Sequence, residues 1–309
     1  MAAMIGPMHC GGAARHWRWS ILAAAALVSG ALCAAIQPAT AQVSNRSAGP
    51  PAAPAPLSAS PPTSAPVAPS PTEAAVIAEV VTLRAAFARE VPQRVTLTPQ
   101  SDIDWVARAK AEVAAAALPI DRPQLIVVVD RSPRVQELRL IVAQSPGKPW
   151  YVIGGSKVST GQSGRFDYYI TPVGVFRHTS AILDYRALGT FNENHIRGLG
   201  LKGMRVWDFG WQTAQKGWLP EGTQGEIRLL MHATDPDYLE QRLGKRASKG
   251  CVRVPATVNR FFDLHGVLDE DYEQAAAEDI RFRALLRPDR QPTSLAGDAL
   301  VIIDSSLTS

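Results

Sequence analysis

Gln124-Leu125-Ile126-Val127-Val128-Val129 is a short apolar run dominated by β-branched side chains, and it marks the point where the texture of the chain changes. Similar runs follow at Leu138 to Val142, Tyr151 to Ile153, Val173 to Phe176, Ile227 to Met231 and Leu300 to Ile303, broken by Gly and Pro. Stretches of this length, rich in residues that fit a pleated surface and bounded by turn formers, read as strands. Several in succession predict an antiparallel sandwich or barrel. Residues 121–309 suffice for one such mainly β domain with short helices, and no internal repeat is visible.

Working outward, Glu73 to Arg89 and Ser101 to Leu118 read as Ala-rich helices, the second with Ser101 as its cap and Asp102 and Asp104 in its first turn. Residues 73–120 are thus expected to form a small helical segment that packs without carrying chemistry. Pro255 to His265 reads as a helix stopped by Gly266, which makes His265 a helix-end residue. Asp269 to Pro292 reads as a charged surface helix.

Residues 42–72 are nearly all Ala, Pro and Ser, a composition that cannot bury a core and that suits an extended linker. Before it, Arg15 and Arg18, the apolar run Ile21 to Ile36 and the small-x-small Ala39-Thr40-Ala41 make residues 1–41 a secretory signal cut after Ala41. An uncleaved signal would instead tether the protein to a membrane. Leu32 stands beside Cys33 where a lipoprotein signal takes a small residue. The leader holds two of the 32 basic residues and none of the 28 acidic ones, leaving 30 against 28. That balance implies neither nucleic acid nor a strongly acidic partner.

Cys10 and Cys33 leave with the leader, so an exported chain keeps one thiol, Cys251, within Ser248-Lys249-Gly250-Cys251-Val252-Arg253-Val254. Lys249 and Arg253 flank it at i−2 and i+2, on the same side of an extended segment, where cations favour thiolate. Gly250, with no Cβ, lets a ligand approach the backbone. A nucleophilic thiol needs a base, and the candidates are His178, His195, His232 and His265. His232 ends the apolar run Ile227 to Met231, and the Asp235-Pro236-Asp237 and Gly244 turn signals between it and Cys251 suit a chain that returns beside its own strand. His precedes Cys, the reverse of papain-like enzymes. One cysteine and scattered histidines do not supply a zinc site, and no cofactor is expected. Trp207 reads as core, while Trp211 and Trp218 are candidates for a groove or lid.

His232, fifteen intervening residues and Ser248-Lys249-Gly250-Cys251-Val252-Arg253 resemble the signature of the L,D-transpeptidase family with the YkuD-type catalytic domain. Val158-Ser159-Thr160-Gly161 and Thr171-Pro172-Val173-Gly174-Val175-Phe176 are similar to two further family stretches, and Ile126 to Arg131 to its first strand. The likeness spans Gln124 to about Gly266, with Leu300 to Asp304 as closing strand. One position departs from the pattern: the family has His before the glycine, and here Lys249 stands there.

The resemblance implies a YkuD-like β-sandwich, Cys251 as nucleophile and His232 as general base and proton donor. Gly250, Ser248 and Lys249 would belong to the oxyanion loop, and Arg253 would bind a substrate carboxylate or buttress that loop. It further implies peptidoglycan stem peptides as substrate and action in the periplasm or cell wall, cross-linking or remodelling it. Three outcomes share these residues: transfer of the acyl group to an amine, carboxypeptidase-type hydrolysis, and a catalytically impaired wall-binding module in which Lys249 has displaced a needed imidazole.

Overall fold

The computed structural model describes residues 71–307. The signal and nearly all of the linker assigned above lie outside them. Among the described residues the chain runs α1 (Glu73–Glu90), α2 (Pro99–Ala115), β1 (Gln124–Asp130), β2 (Glu137–Ala143), β3 (Tyr151–Lys157), β4 (Gly174–Arg177), β5 (Tyr185–Arg186), β6 (Arg205–Gln215) and β7 (Gln224–Ala233). After these come β8 (Val252–Val254), α3 (Ala256–His265), α4 (Glu270–Glu278), α5 (Ile280–Leu285) and β9 (Ala299–Ile303).

Two sheets result, ordered β3-β2-β1-β9-β4 and β5-β6-β7-β8. The expected β-sandwich with short helices and preceding helices is what forms, but it is not wholly antiparallel. β1 pairs with β9 in parallel, and β7 pairs with β8 in parallel. Both parallel pairs join strands far apart in sequence, a connection that periodicity does not reveal.

The unalternating texture of β1 now has a cause. All seven of its residues are buried. Leu125, Val127 and Val129 face a core shared with Trp207, Phe209, Leu229 and Met231 of the second sheet and with Phe87 of α1 and Phe262 of α3. Ile126 and Val128 face the other way, under Trp105, Ala109 and Val113 of α2. A strand covered on both faces loses the apolar-polar alternation of a half-exposed one.

Local signals set the helix ends. Thr98, not Ser101, caps α2: its Oγ1 accepts the Ser101 N–H at 3.3 Å, and Pro99 stands in the first turn, where its missing N–H costs nothing. Gly266 ends α3 at φ 60°, as its place after His265 predicts. The segment after Asp269 is not a simple surface helix. It forms α4 and α5, and Tyr272, Phe282 and Leu286 bury a small apolar cluster of their own.

Candidate active site

The candidate residues His232 and Cys251 lie on or beside the second sheet. Strand residues alternate, so Leu229 and Met231 of β7 enter the core while Arg228, Leu230 and His232 point the other way. Met231 and His232 are level with Val252 and Arg253 of β8, which puts Cys251 beside Leu230. The Leu230 N–H points at the Cys251 sulfur. His232 therefore lies on β7 and Cys251 immediately before β8, two residues apart along the pair.

Cys251 is half-buried and unpaired. Burial pushes its thiol up, against the pull of the Leu230 N–H and the Arg253 charge, while Asp208 adds to the rise. The expected thiolate bias from flanking cations is thus overturned, and for Lys249 the reason is geometric. Gly250 adopts φ +133°, so the alternation that would place 249 and 251 on one side is broken. Lys249 turns outward, its Nζ 3.2 Å from Asp167 Oδ2 and its side chain 60% exposed. It lies over the Tyr168 ring at the rim.

Gly250 itself is required: an added Cβ would come within 2.9 Å of Ile227 Cδ1, at a φ that disfavours any side chain. The buried Ser248 hydroxyl donates to Cys251 O at 2.6 Å and accepts the Gly250 N–H at 3.1 Å. It ties the loop together and makes no bond to His232 among the described residues. Thr171 Oγ1 donates to Gly250 O and accepts the Gly161 N–H, both at 2.8 Å, which links the Thr171-Pro172 stretch to the loop. Arg253 donates through Nη1 to Ala247 O at 3.1 Å, and burial lowers its pKa. That contact buttresses the loop from within.

His232 is 3% exposed, and its Nδ1 lies 2.7 Å from Ala233 O. A carbonyl only accepts, so Nδ1 carries the proton and Nε2 presents its lone pair. Burial, with the Arg253 charge adding, pulls the ring down to about 4, against the Ala233 carbonyl. The resting pair is therefore neutral thiol and neutral imidazole. No hydrogen bond joins them among the described residues.

The other histidines stand apart. His178 is fully buried, with Nδ1 2.7 Å from Leu268 O and Nε2 2.9 Å from Asp184 Oδ2. His195 lies in an exposed turn at φ 54°. His265 ends α3 and bonds Glu90 of α1 at 3.0 Å. Trp207 is core, fully buried. Trp218 stacks edge-on against Tyr169, whose N–H binds Lys249 O.

Sequence reasoning missed Asp208, Arg228 and Tyr185. Asp208, 1% exposed on β6, accepts from Arg228 Nε at 2.6 Å, and burial raises the Tyr185 hydroxyl, with the Asp208 charge adding to the rise and Arg228 opposing it. The one available signal was Gly210, which marks a bulge in β6. A cleft of about 690 Å³ beside α1 and β3, lined by Arg84, Arg94 and Asp102, includes none of these residues.

No curated protein matches the chain. Among solved structures, a fused Zn-dependent amidase/peptidase/peptidoglycan-binding domain-containing protein from Clostridium acetobutylicum ATCC 824 is similar at 14% identity, over 68% of this chain and 65% of that one. Its TM-score of 0.25 is too low to bear on fold or function, and the chain spans just under two thirds of its length. The family comparison is the informative one, since its match begins at the first residue of β1 and ends just past α3. Residues 124–269 match the family model of the YkuD L,D-transpeptidase catalytic domain.

Proposed function

We propose that the protein is a peptidoglycan L,D-transpeptidase that works through an acyl-enzyme on Cys251. The observation that supports this reading is the pairing of β7 with β8, by which the half-buried Cys251 and the buried His232, its Nδ1 committed to Ala233 O, come within two positions of each other along neighbouring segments. The family match supplies the peptidoglycan chemistry, and the exported location rests on the leader at residues 1–41.

In the first half-reaction the Cys251 thiol gives its proton to His232 Nε2 as the sulfur attacks the carbonyl of the third stem residue. Since the thiol is raised and the imidazole lowered, an ion pair is costly at rest, and proton transfer accompanies attack. The Gly250 N–H is already taken by Ser248, so the oxyanion draws on the Cys251 N–H. Collapse of the tetrahedral adduct breaks the C–N bond, and the departing D-alanine amine takes the proton back from His232. In the second half-reaction an amine, or water, gives its proton to His232 and attacks the thioester, and the proton returns to the leaving sulfur. An amine yields a cross-link and water a trimmed stem.

Lys249 at the rim neither carries nor blocks this proton path, which favours a working enzyme over an impaired binding module. Incubation of the chain with a carbapenem should add the mass of one drug molecule, and Cys251→Ala should abolish the adduct. No adduct on the unaltered chain overturns the acyl-enzyme. Tetrapeptide muropeptides then separate the outcomes: cross-linked dimers mean transfer, and free D-alanine without dimers means hydrolysis.

A further inference from the structure

Arg228 is an exposed cation on the outward face of the second sheet, held there by features that a merely solvated arginine does not need. It lies on the outward face of β7, two residues before Leu230, the neighbour of Cys251. Opposite it, β6 carries one extra residue between Asp208 and Trp211, so that Asp208 pairs with Leu230 and Trp211 with Arg228. Gly210, at φ +77°, makes that bulge, and its N–H donates to Asp208 Oδ1 at 2.9 Å. Bulges of this kind bend a strand and re-aim its side chains.

The bulge brings the almost fully buried Asp208 under the guanidinium. Asp208 Oδ2 accepts from Arg228 Nε at 2.6 Å while Oδ1 is held by Gly210, so the carboxylate is satisfied and fixed. Arg228 remains 46% exposed in its side chain, and Nη1 and Nη2 have no hydrogen-bond partner among the described residues. Held by its inner nitrogen, the guanidinium presents its planar outer pair, a fork that matches the two oxygens of a carboxylate. Trp211, 65% exposed, and Tyr185, 39% exposed, border it with apolar surface. The nearest acid on the same face of β7, Glu226, is occupied by the Thr213 hydroxyl at 2.8 Å.

We infer that Arg228, positioned by Asp208 and the Gly210 bulge, is a carboxylate-binding subsite on the outward face of the second sheet that holds a carboxylate of the acyl-donor peptide near Cys251. This rests on the acyl-transfer reading for the identity of the donor, but not for the chemistry of the subsite. Arg253, the arginine singled out by sequence for that task, is largely buried, bound to Ala247 O through Nη1 and with its Nε buried without a hydrogen-bond partner among the described residues, and Lys249 is paired with Asp167. Arg228 is the cation on this face with an open fork.

The test separates binding from catalysis. In the full chain carrying Cys251→Ala, calorimetry measures affinity for a stem tetrapeptide and for the same peptide with its carboxylates converted to carboxamides. With Arg228 present the carboxylate form should bind on the order of tenfold more tightly, the scale of a charge-assisted pair. Arg228→Gln should erase that preference and leave carboxamide affinity unchanged, whereas Arg228→Lys should retain part of it. A preference that survives Arg228→Gln, or a chain that binds neither peptide, overturns the subsite. A carboxylate preference that depends on Arg228 in a protein no carbapenem acylates would leave the subsite standing and sink the acyl-transfer reading.

Discussion

Burial acts on the two candidate groups in opposite directions and leaves both uncharged. The thiol of Cys251 is raised and the imidazole of His232 is lowered to about 4. A preformed thiolate-imidazolium pair would react with any soft electrophile at neutral pH, and this site should not. Alkylation by iodoacetamide should be slow near neutrality and climb only as pH passes above the usual thiol range, in the absence of substrate. A rate profile with its midpoint below about pH 7 would mean that the thiolate already exists and that the neutral resting pair is wrong.

At the scale of elements, a buried ionic network joins the cleft strands to α4. Arg205, fully buried at the start of β6, donates to Asp184 at 2.8 Å and to Asp269 at 3.2 Å. Asp184 also accepts the Asp208 N–H at 2.9 Å. His178 faces an acceptor at each ring nitrogen, so both nitrogens donate and the ring is a cation. Burial pulls its pKa down, but the charge and hydrogen bond of Asp184, with Asp269 behind, outweigh that and leave it raised. A group raised on folding stabilises fully below its unfolded value of about 6.5, and that stabilisation fades as pH climbs through the folded value. His178→Gln should therefore lower the urea midpoint most near about pH 6, with the gap to the parent narrowing in more alkaline buffer. A gap that stays constant with pH would show that His178 is neutral in the fold.

The whole molecule depends on α2 more than its composition indicates. Trp105, Ala109 and Val113 cover the outer face of the first sheet, where Ile126, Val128, Ile141 and Val301 lie fully buried. Each large apolar side chain returned to water costs about 1.5–3 kcal/mol, so uncovering four approaches the stability of a typical domain. A chain starting at residue 121 should bind a hydrophobic dye and lose its cooperative melt, and an unchanged Tm would refute this.

These three scales also divide what was legible. The strand runs, the helix before Gly266 and the return of the chain beside the strand that ends near His232 could be read from local pattern, because turn formers and β-branched runs act within a few positions. The parallel pairings, the double burial of β1 and the Asp208 and Arg228 pair could not, since each joins residues that only the closed sheets bring together. The thiol's environment was not legible because its burial depends on the closed sheets, while the turn at Gly250 carries Lys249 away from it.

That turn has a consequence of its own. By rotating the main chain between positions 249 and 251, it separates two chemical climates within one tight bend: the residue before the glycine answers to bulk solvent and its Asp167 partner, and the residue after it to the interior of the groove. Charge at the outer position can change without touching the thiol or the imidazole.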